Sequence, residues 1–335
     1  MKVRVRAPRR WLPALRLPAH KKTAMQNAEQ LLKQLEWTVI RRLDGFLQGD
    51  YRTLFRGAGL DLADLREYQH HDDVRHIDWN VTARMQVPYV RQFTEDREVN
   101  AWFLLDLSAS VDFGSHDIRK RDVLAQFVGV LSRLLTRHGN KVGALLYSNQ
   151  VDTVIPARGG RLHVLHLLHQ LLSHKAPPAK PALQARATQL GNLINGAQAH
   201  IKRRSLVFVV SDFISAPGWE KPLSALAQRH EVIAVRLIDP AEMALPDIGM
   251  VTLQDPETGE QVWVDMHDKK FRIRFEELAA QREADLSTGL ARAGVDGLEL
   301  STDASVLDTI VRFNHLRRQR ARGAAGSIHH AKEAA

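Results

Sequence analysis

Five oxygen-bearing residues between positions 106 and 212 have the types needed to hold a metal ion. Three stand in "AWFLLDLSASVDFG" (101–114), where an apolar run stops at Asp106 and Ser108 and Ser110 follow at alternate positions. A second apolar run, "SLVFVVSDF" (205–213), stops at Asp212. Thr188, in "RATQL", precedes the helix expected ahead of that second run. Two carboxylates and three hydroxyls make an oxygen-only donor set, which suits a hard cation, Mg²⁺ or Mn²⁺. Mg²⁺ demands six oxygens near ~2.1 Å and keeps waters rather than gathering many carboxylates. Neutral hydroxyls as direct ligands leave the ion electrophilic, able to accept a carboxylate from another molecule. The competing reading is local: Ser108 or Ser110 caps the following helix, and Asp212 does likewise.

The elements around these residues follow from hydropathy pattern. "AWFLLDL" reads as a buried strand, and "RDVLAQFVGVLSRLLTRHG" as an amphipathic helix closed by Gly139. "KVGALLYS" is a strand, "VDTVIPA" follows after a tight turn, and "RLHVLHLLHQLLSH" is a helix. A Pro/Ala linker (176–183), a helix (188–201), the second apolar strand, a helix in "GWEKPLSALAQRH" and the strand "EVIAVRLID" continue the alternation. A hairpin around "DPETGE", a helix over 268–293, the strand "GLEL" and a helix over 304–319 complete it. Ahead of this region, Leu31, Leu32, Leu35, Val39, Leu43 and Leu47 form one stripe of a helix over 24–49. Residues 50–98 read as a small irregular β module.

Alternating apolar strands and amphipathic helices predict an α/β fold, a mostly parallel sheet with helices on both faces. Ligands of such sheets bind at the carboxyl ends of strands. The runs ending in Asp106 and Asp212 are the most apolar in the chain, which places their strands side by side at its centre.

The chain has 335 residues, 44% hydrophobic and 25% charged, as expected of a globular protein. Cys is absent, which excludes disulfides and thiolate metal sites. No apolar run reaches the ~18 residues of a membrane span, and the basic N-terminus lacks the apolar core of a signal peptide. A cytoplasmic location is expected. The net charge is +9, but residues 1–22 carry +8 and residues 317–335 carry +4, leaving residues 23–316 at −3. The two ends read as solvated basic tails. Nucleic-acid binding, which wants a basic face on the folded body, is therefore a secondary reading carried by the tails alone.

D-x-S-x-S after an apolar strand, a later Thr and a later strand-end Asp resemble the metal-ion-dependent adhesion site of von Willebrand factor A domains. More specifically, "GAGLDLADLREYQHHDDVRHIDWNVTARMQVPYVRQFTEDRE" (57–98) resembles the signature of the domain-of-unknown-function 58 family. The resemblance covers about residues 40–240. "HHDD" (70–73) stands where that family usually has Pro-Gly-Asp-Asp, and Gln189 follows Thr188 where it more often has an acid. The resemblance implies a von Willebrand factor A-like domain over 100–316, preceded by a helix and small β module over 23–99. It implies Mg²⁺ or Mn²⁺ held by Asp106, Ser108, Ser110, Thr188 and Asp212. It also implies partnership with a MoxR-type AAA+ ATPase, in chaperone-like maturation or remodelling of protein complexes, and no established catalytic activity.

Two other clusters invite a metal. Residues 65–79 gather Arg66, Glu67, His70, His71, Asp72, Asp73, Arg75, His76 and Asp78, which reads as an Arg–carboxylate network or, alternatively, as a phosphoesterase site. Trp79 reads as a packing anchor. His163, His166, Gln170 and His174 share a helical stripe, read as a solvated polar face rather than a zinc face. No P-loop, no nucleophile elbow and no Cys nucleophile is present, so no enzyme is expected. A metal-dependent phosphoesterase remains the enzymatic alternative.

Overall fold

The computed structural model describes residues 2–4, 24–36, 64–69, 72, 74, 77–92, 100–174, 188–255, 258, 260–317 and 319. The cluster His70, His71, Asp73, Arg75 and His76, the Pro/Ala linker, residues 37–50 and most of both tails lie outside them.

The expected alternation is present. Strands β4 (Asn100–Asp106), β5 (Lys141–Tyr147), β6 (Val151–Arg158), β7 (Leu206–Ser211), β8 (Glu231–Ile238) and β11 (Asp296–Ser301) form one sheet in the order β11-β8-β7-β4-β5-β6. All neighbours are parallel except β5 and β6. Three residues (148–150) separate those two strands, too few for the crossover that a parallel pair needs. β4 and β7 are adjacent at the centre. Their order reverses there, the place where sheets of this kind leave a crevice between loops. This is the mostly parallel α/β sheet, with helices on both faces, that the sequence predicts.

The strand side chains alternate between two cores. On one face Phe103, Leu105, Phe208 and Val210 meet helices α3 (Lys120–Arg137) and α4 (Arg161–Ser173). Phe103 stacks on Phe208 with ring centroids 5.1 Å apart, and Phe127 of α3 meets both rings edge-on. Helix α1 (Ala24–Leu35) adds Ala28, Leu32 and Leu35 to this core. On the other face Leu104, Val207 and Val209 meet helices α5 (Leu190–His200), α6 (Glu220–Arg229) and the long α7 (Lys269–Ala293). α8, residues 306–317, places Val306, Leu307 and Ile310 in the first core.

Smaller sheets lie outside. The expected hairpin is formed by β9 (Met250–Gln254) and β10 (Gln261–Asp265), with β1 (Lys2–Arg4) paired to β9. β2 (Asp64–Glu67) and β3 (Tyr89–Gln92) make an antiparallel pair beside the short helix α2 (Trp79–Met85). Here one expectation is corrected. Trp79 is 69% exposed, and it is Asp78 that is buried, capping α2 through the Asn80 and Val81 N–H groups. Asp78 takes the buried place at the start of α2, a helix with no buried residue of its own, and Trp79 beside it faces outward.

Gly143 on β5 allows the close approach of Trp102 and β6. A Cβ there would lie 2.9 Å from the Trp102 ring and 2.9 Å from the Ile155 carbonyl oxygen. Gly143→Ala should destabilise the fold by about 1–3 kcal/mol through overpacking. Chemical denaturation checks this; an unchanged midpoint at unchanged slope would refute the packing argument.

Candidate metal centre

β4 ends in Asp106 and β7 in Ser211, one position before Asp212. The register that pairs Leu105 with Val210 brings Ser211 abreast of Asp106. The Ser211 hydroxyl donates to Asp106 Oδ2 at 2.7 Å and accepts the Phe213 N–H at 2.9 Å. Asp106 Oδ1 accepts the Ser108 N–H at 3.0 Å, a side-chain turn that folds the chain as it leaves the sheet. Asp106, Ser108, Ser110, Ser211 and Asp212 are all buried.

The local-capping reading of the serines does not hold. Ser108 occupies the position before the 3₁₀ turn Ala109–Asp112, yet its side chain caps nothing. Its oxygen lies 3.1 Å from Ser110 Oγ instead. Asp212 does not cap α6, whose preceding residue is Trp219. Its Oδ1 accepts the Ile214 N–H at 3.0 Å and its Oδ2 the Lys120 ammonium at 2.8 Å. Phe213 between them has φ of +57°, the left-handed region that L side chains rarely adopt.

Thr188 is buried just before α5. Its carbonyl accepts the Ala216 N–H at 2.8 Å, from the loop that follows Asp212. The next carbonyl, Gln189, accepts the Tyr147 hydroxyl at 3.0 Å, and Tyr147 is the register partner of Asp106 on β5. Residues 188–189 are thus stitched to both neighbours of Asp106 at one sheet edge. The structure brings Asp106, Ser108, Ser110 and Asp212 into one buried group by their side chains, and Thr188 to the same edge by its backbone.

Four residues that sequence reasoning did not single out complete the surroundings. Ser211 is one. Lys120, the first residue of α3, is fully buried and pairs with Asp212 and, at 2.7 Å, with Glu242. Asp239 at the end of β8 is buried and accepts the Ser115 N–H at 2.9 Å, the Thr302 hydroxyl at 2.8 Å and the Ala241 N–H at 3.0 Å. Glu242 returns a bond from the Asp239 N–H at 3.2 Å. "DPAE" carried a signal for the last pair: a carboxylate, a proline and an acid three positions on form a capping box. Lys120 carried none, because "IRKRD" reads as a solvated charge run.

The charges are uneven. Burial pushes the Asp106 carboxyl up to about 6, and the charge of Asp212 pushes it the same way, against hydrogen bonds from Ser211 and Ser108. Burial raises Asp212 too, but the Lys120 ammonium more than offsets it and holds that carboxyl below its ordinary value. Burial lowers Lys120, and Asp212 and Glu242 outweigh that effect, so the ammonium stays charged. The result is a buried carboxylate pair in which, among the described residues, one member has a counter-ion and the other does not.

That imbalance fits a hard cation. Among the described residues no three His, Cys, Asp or Glu side chains converge, so a metal here would depend on hydroxyl donors. Ser108 and Ser110 present two such oxygens side by side next to a carboxylate short of positive charge. The histidine stripe offers no comparable set. His163 Nε2 lies 2.7 Å from the Val142 carbonyl, and His174 Nε2 lies 3.1 Å from Asp152, so these imidazoles are partly packed against β5 and β6 while His166 is exposed. Beside Asp212 opens a cavity of about 320 Å³ whose lining includes Ile214, Trp219, Met243, Arg282 and Asp285. Among the described residues no helix is long and apolar enough to cross a membrane.

Uncharacterized proteins of Mycobacterium tuberculosis and Mycobacterium bovis are each 38% identical over 288 residues, covering 86% of this chain and 89% of theirs. Among solved structures, the conserved hypothetical protein BatB from Bacteroides thetaiotaomicron aligns over 66% of this chain and 99% of its own, with 15% identity and a TM-score of 0.40. An aerotolerance-related membrane protein from Bacteroides fragilis aligns over the same shares with 12% identity and a TM-score of 0.41. The family model described as protein of unknown function DUF58 matches residues 64–285, and with relatives of this identity over most of both chains, the protein belongs to that family.

Proposed function

We propose that the chain is a divalent-cation-dependent protein-interaction module that works in the cytoplasm. Mg²⁺ or Mn²⁺ sits at the carboxyl ends of β4 and β7, held by Asp106, Ser108, Ser110, Thr188 and Asp212. An acidic side chain of a partner completes its coordination. The partner is a MoxR-type AAA+ ATPase or a client that such an ATPase matures, as the sequence resemblance implies. The observation that carries this reading is the pairing of the Asp106 carboxylate, short of positive charge, with two adjacent serine hydroxyls that cap nothing. The 320 Å³ cavity beside Asp212 leaves room for a partner's segment.

The test is a titration of the full chain with MgCl₂ and MnCl₂, paired with a pull-down of a MoxR-type ATPase from the same genome. Wild type should bind both the cation and the ATPase, and Asp106→Ala should reduce cation affinity by about 100-fold or more, the scale of losing a charged ligand. Chelation by EDTA should release the ATPase. Retention of both affinities in Asp106→Ala would sink the proposal. Turnover of generic phosphoesters that Asp106→Asn abolishes would replace it with the enzymatic reading.

A further inference from the structure

The Lys120 ammonium is the most costly feature of the site to build. A fully buried lysine carries a desolvation penalty unless its charge is met. Here two carboxylates meet it, Asp212 at 2.8 Å and Glu242 at 2.7 Å, and the Phe113 ring centroid lies 5.9 Å away. Both anchors are themselves held. Asp212 is fixed by the Ile214 N–H, and Glu242 by the Asp239 N–H, whose own carboxylate ties Ser115 to Thr302. The ammonium therefore has a fixed position, braced from α3, β7 and the turn after β8. It lies against Asp212, while Asp106 receives its hydrogen bonds from Ser108 and Ser211.

We propose that Lys120 is a permanent internal counter-ion that positions Asp212 and weakens the site's hold on a divalent cation. This rests on the metal reading of the same residues. A fixed positive charge beside one of two carboxylates repels a second cation at short range and in low dielectric. It also occupies a carboxylate oxygen that a tighter site would turn on the metal or its water. Glu242 acts in the opposite sense: it draws the ammonium's field away from Asp212 and adds negative charge to the bay. The device leaves the cation weakly held by the chain alone, so that a partner's carboxylate adds a large share of the negative charge around it.

Opposite signs make the test. Lys120→Met removes the counter-ion, and Glu242→Gln removes the charge that balances it while keeping an oxygen for the Asp239 N–H. Mg²⁺ and Mn²⁺ affinities are measured on the full chain by calorimetry, and the thermal midpoint of the metal-free protein is read alongside. Lys120→Met should bind about tenfold tighter or better and have a lower metal-free midpoint, and Glu242→Gln should bind several-fold weaker. Binding by Lys120→Met where wild type shows none would also support the proposal. Where Lys120→Met does not fold, Glu242→Gln and the charge-balanced double variant decide it, the latter binding more tightly than Glu242→Gln alone. Equal affinities in wild type and both variants, or the reverse order, overturn the role of Lys120 and leave the metal reading standing. Absence of Mn²⁺ binding in every folded variant overturns both.

Discussion

Asp106→Asn should raise the stability of the metal-free protein at pH 7.5 and abolish its response to Mg²⁺. The sign follows from the carboxyl's shift. Burial and the neighbouring Asp212 charge move Asp106 from the ordinary 3.8 up to about 6. A group with a raised folded value contributes its stability below the unfolded value and loses it as pH rises through the folded one. Between pH ~4 and ~6, then, ionisation of Asp106 removes stability, on the order of 3 kcal/mol by the size of the shift. Asparagine keeps the shape and an oxygen for the Ser108 N–H and never ionises. Its gain over wild type should be present at pH 7.5 and gone near pH 4, where wild type carries the proton itself. A cation removes the same penalty in wild type, so Mg²⁺ should lift the wild-type midpoint more at pH 7.5 than at pH 5. Thermal melts at three pH values, with and without Mg²⁺, check all of this. A lower midpoint for the Asn variant at pH 7.5 would contradict the electrostatic argument.

Asp239→Ala should be among the most damaging single changes to stability. Its buried carboxylate holds the Ser115 N–H and the Thr302 hydroxyl, residues far apart in the chain, and caps the turn that presents Glu242 to Lys120. Truncation leaves those donors unmet in the interior and frees Glu242, at a cost of about 3 kcal/mol or more. Burial pushes this carboxyl up, but hydrogen bonds from Ser115 and Thr302 prevail and hold it below the ordinary value. Its contribution is therefore present above pH ~4 and lost on further acidification, the opposite of Asp106. Denaturant unfolding at pH 7 tests the loss; a variant within about 0.5 kcal/mol of wild type, the scale of a neutral surface change, would show that the hub is not structural.

Much of the fold was legible because burial on both faces forces continuous apolar strands, and "AWFLLDL" and "SLVFVVS" read as nothing else. Their being the two most apolar runs was enough to place them together, and the ends of adjacent central strands must meet at one edge. The tight turn before β6 was legible in the sequence, and the structure shows the antiparallel pairing that so short a connection requires. Ser211 was not, because its importance comes from the strand register, which a single chain segment does not reveal. Lys120 was hidden for a different reason: its partners lie 92 and 122 residues away, and its neighbours Arg119 and Arg121 make it look solvated. Trp79 misled because aromatic character favours burial only when the local backbone turns the ring inward.

The left-handed backbone at Phe213 has a mechanical corollary. A non-glycine residue at φ +57° costs about 1–2 kcal/mol, so something outside the peptide must hold it. Here the Phe213 ring leans edge-on against Trp219 at 5.5 Å, and Trp219 presses so close to Gly289 of α7 that an added methyl would sit 2.9 Å from the indole. The geometry around Asp212 is in that sense clamped from outside the sheet, and a methyl group at position 289 is a lever with its fulcrum at Trp219 and its load at the loop that carries Asp212.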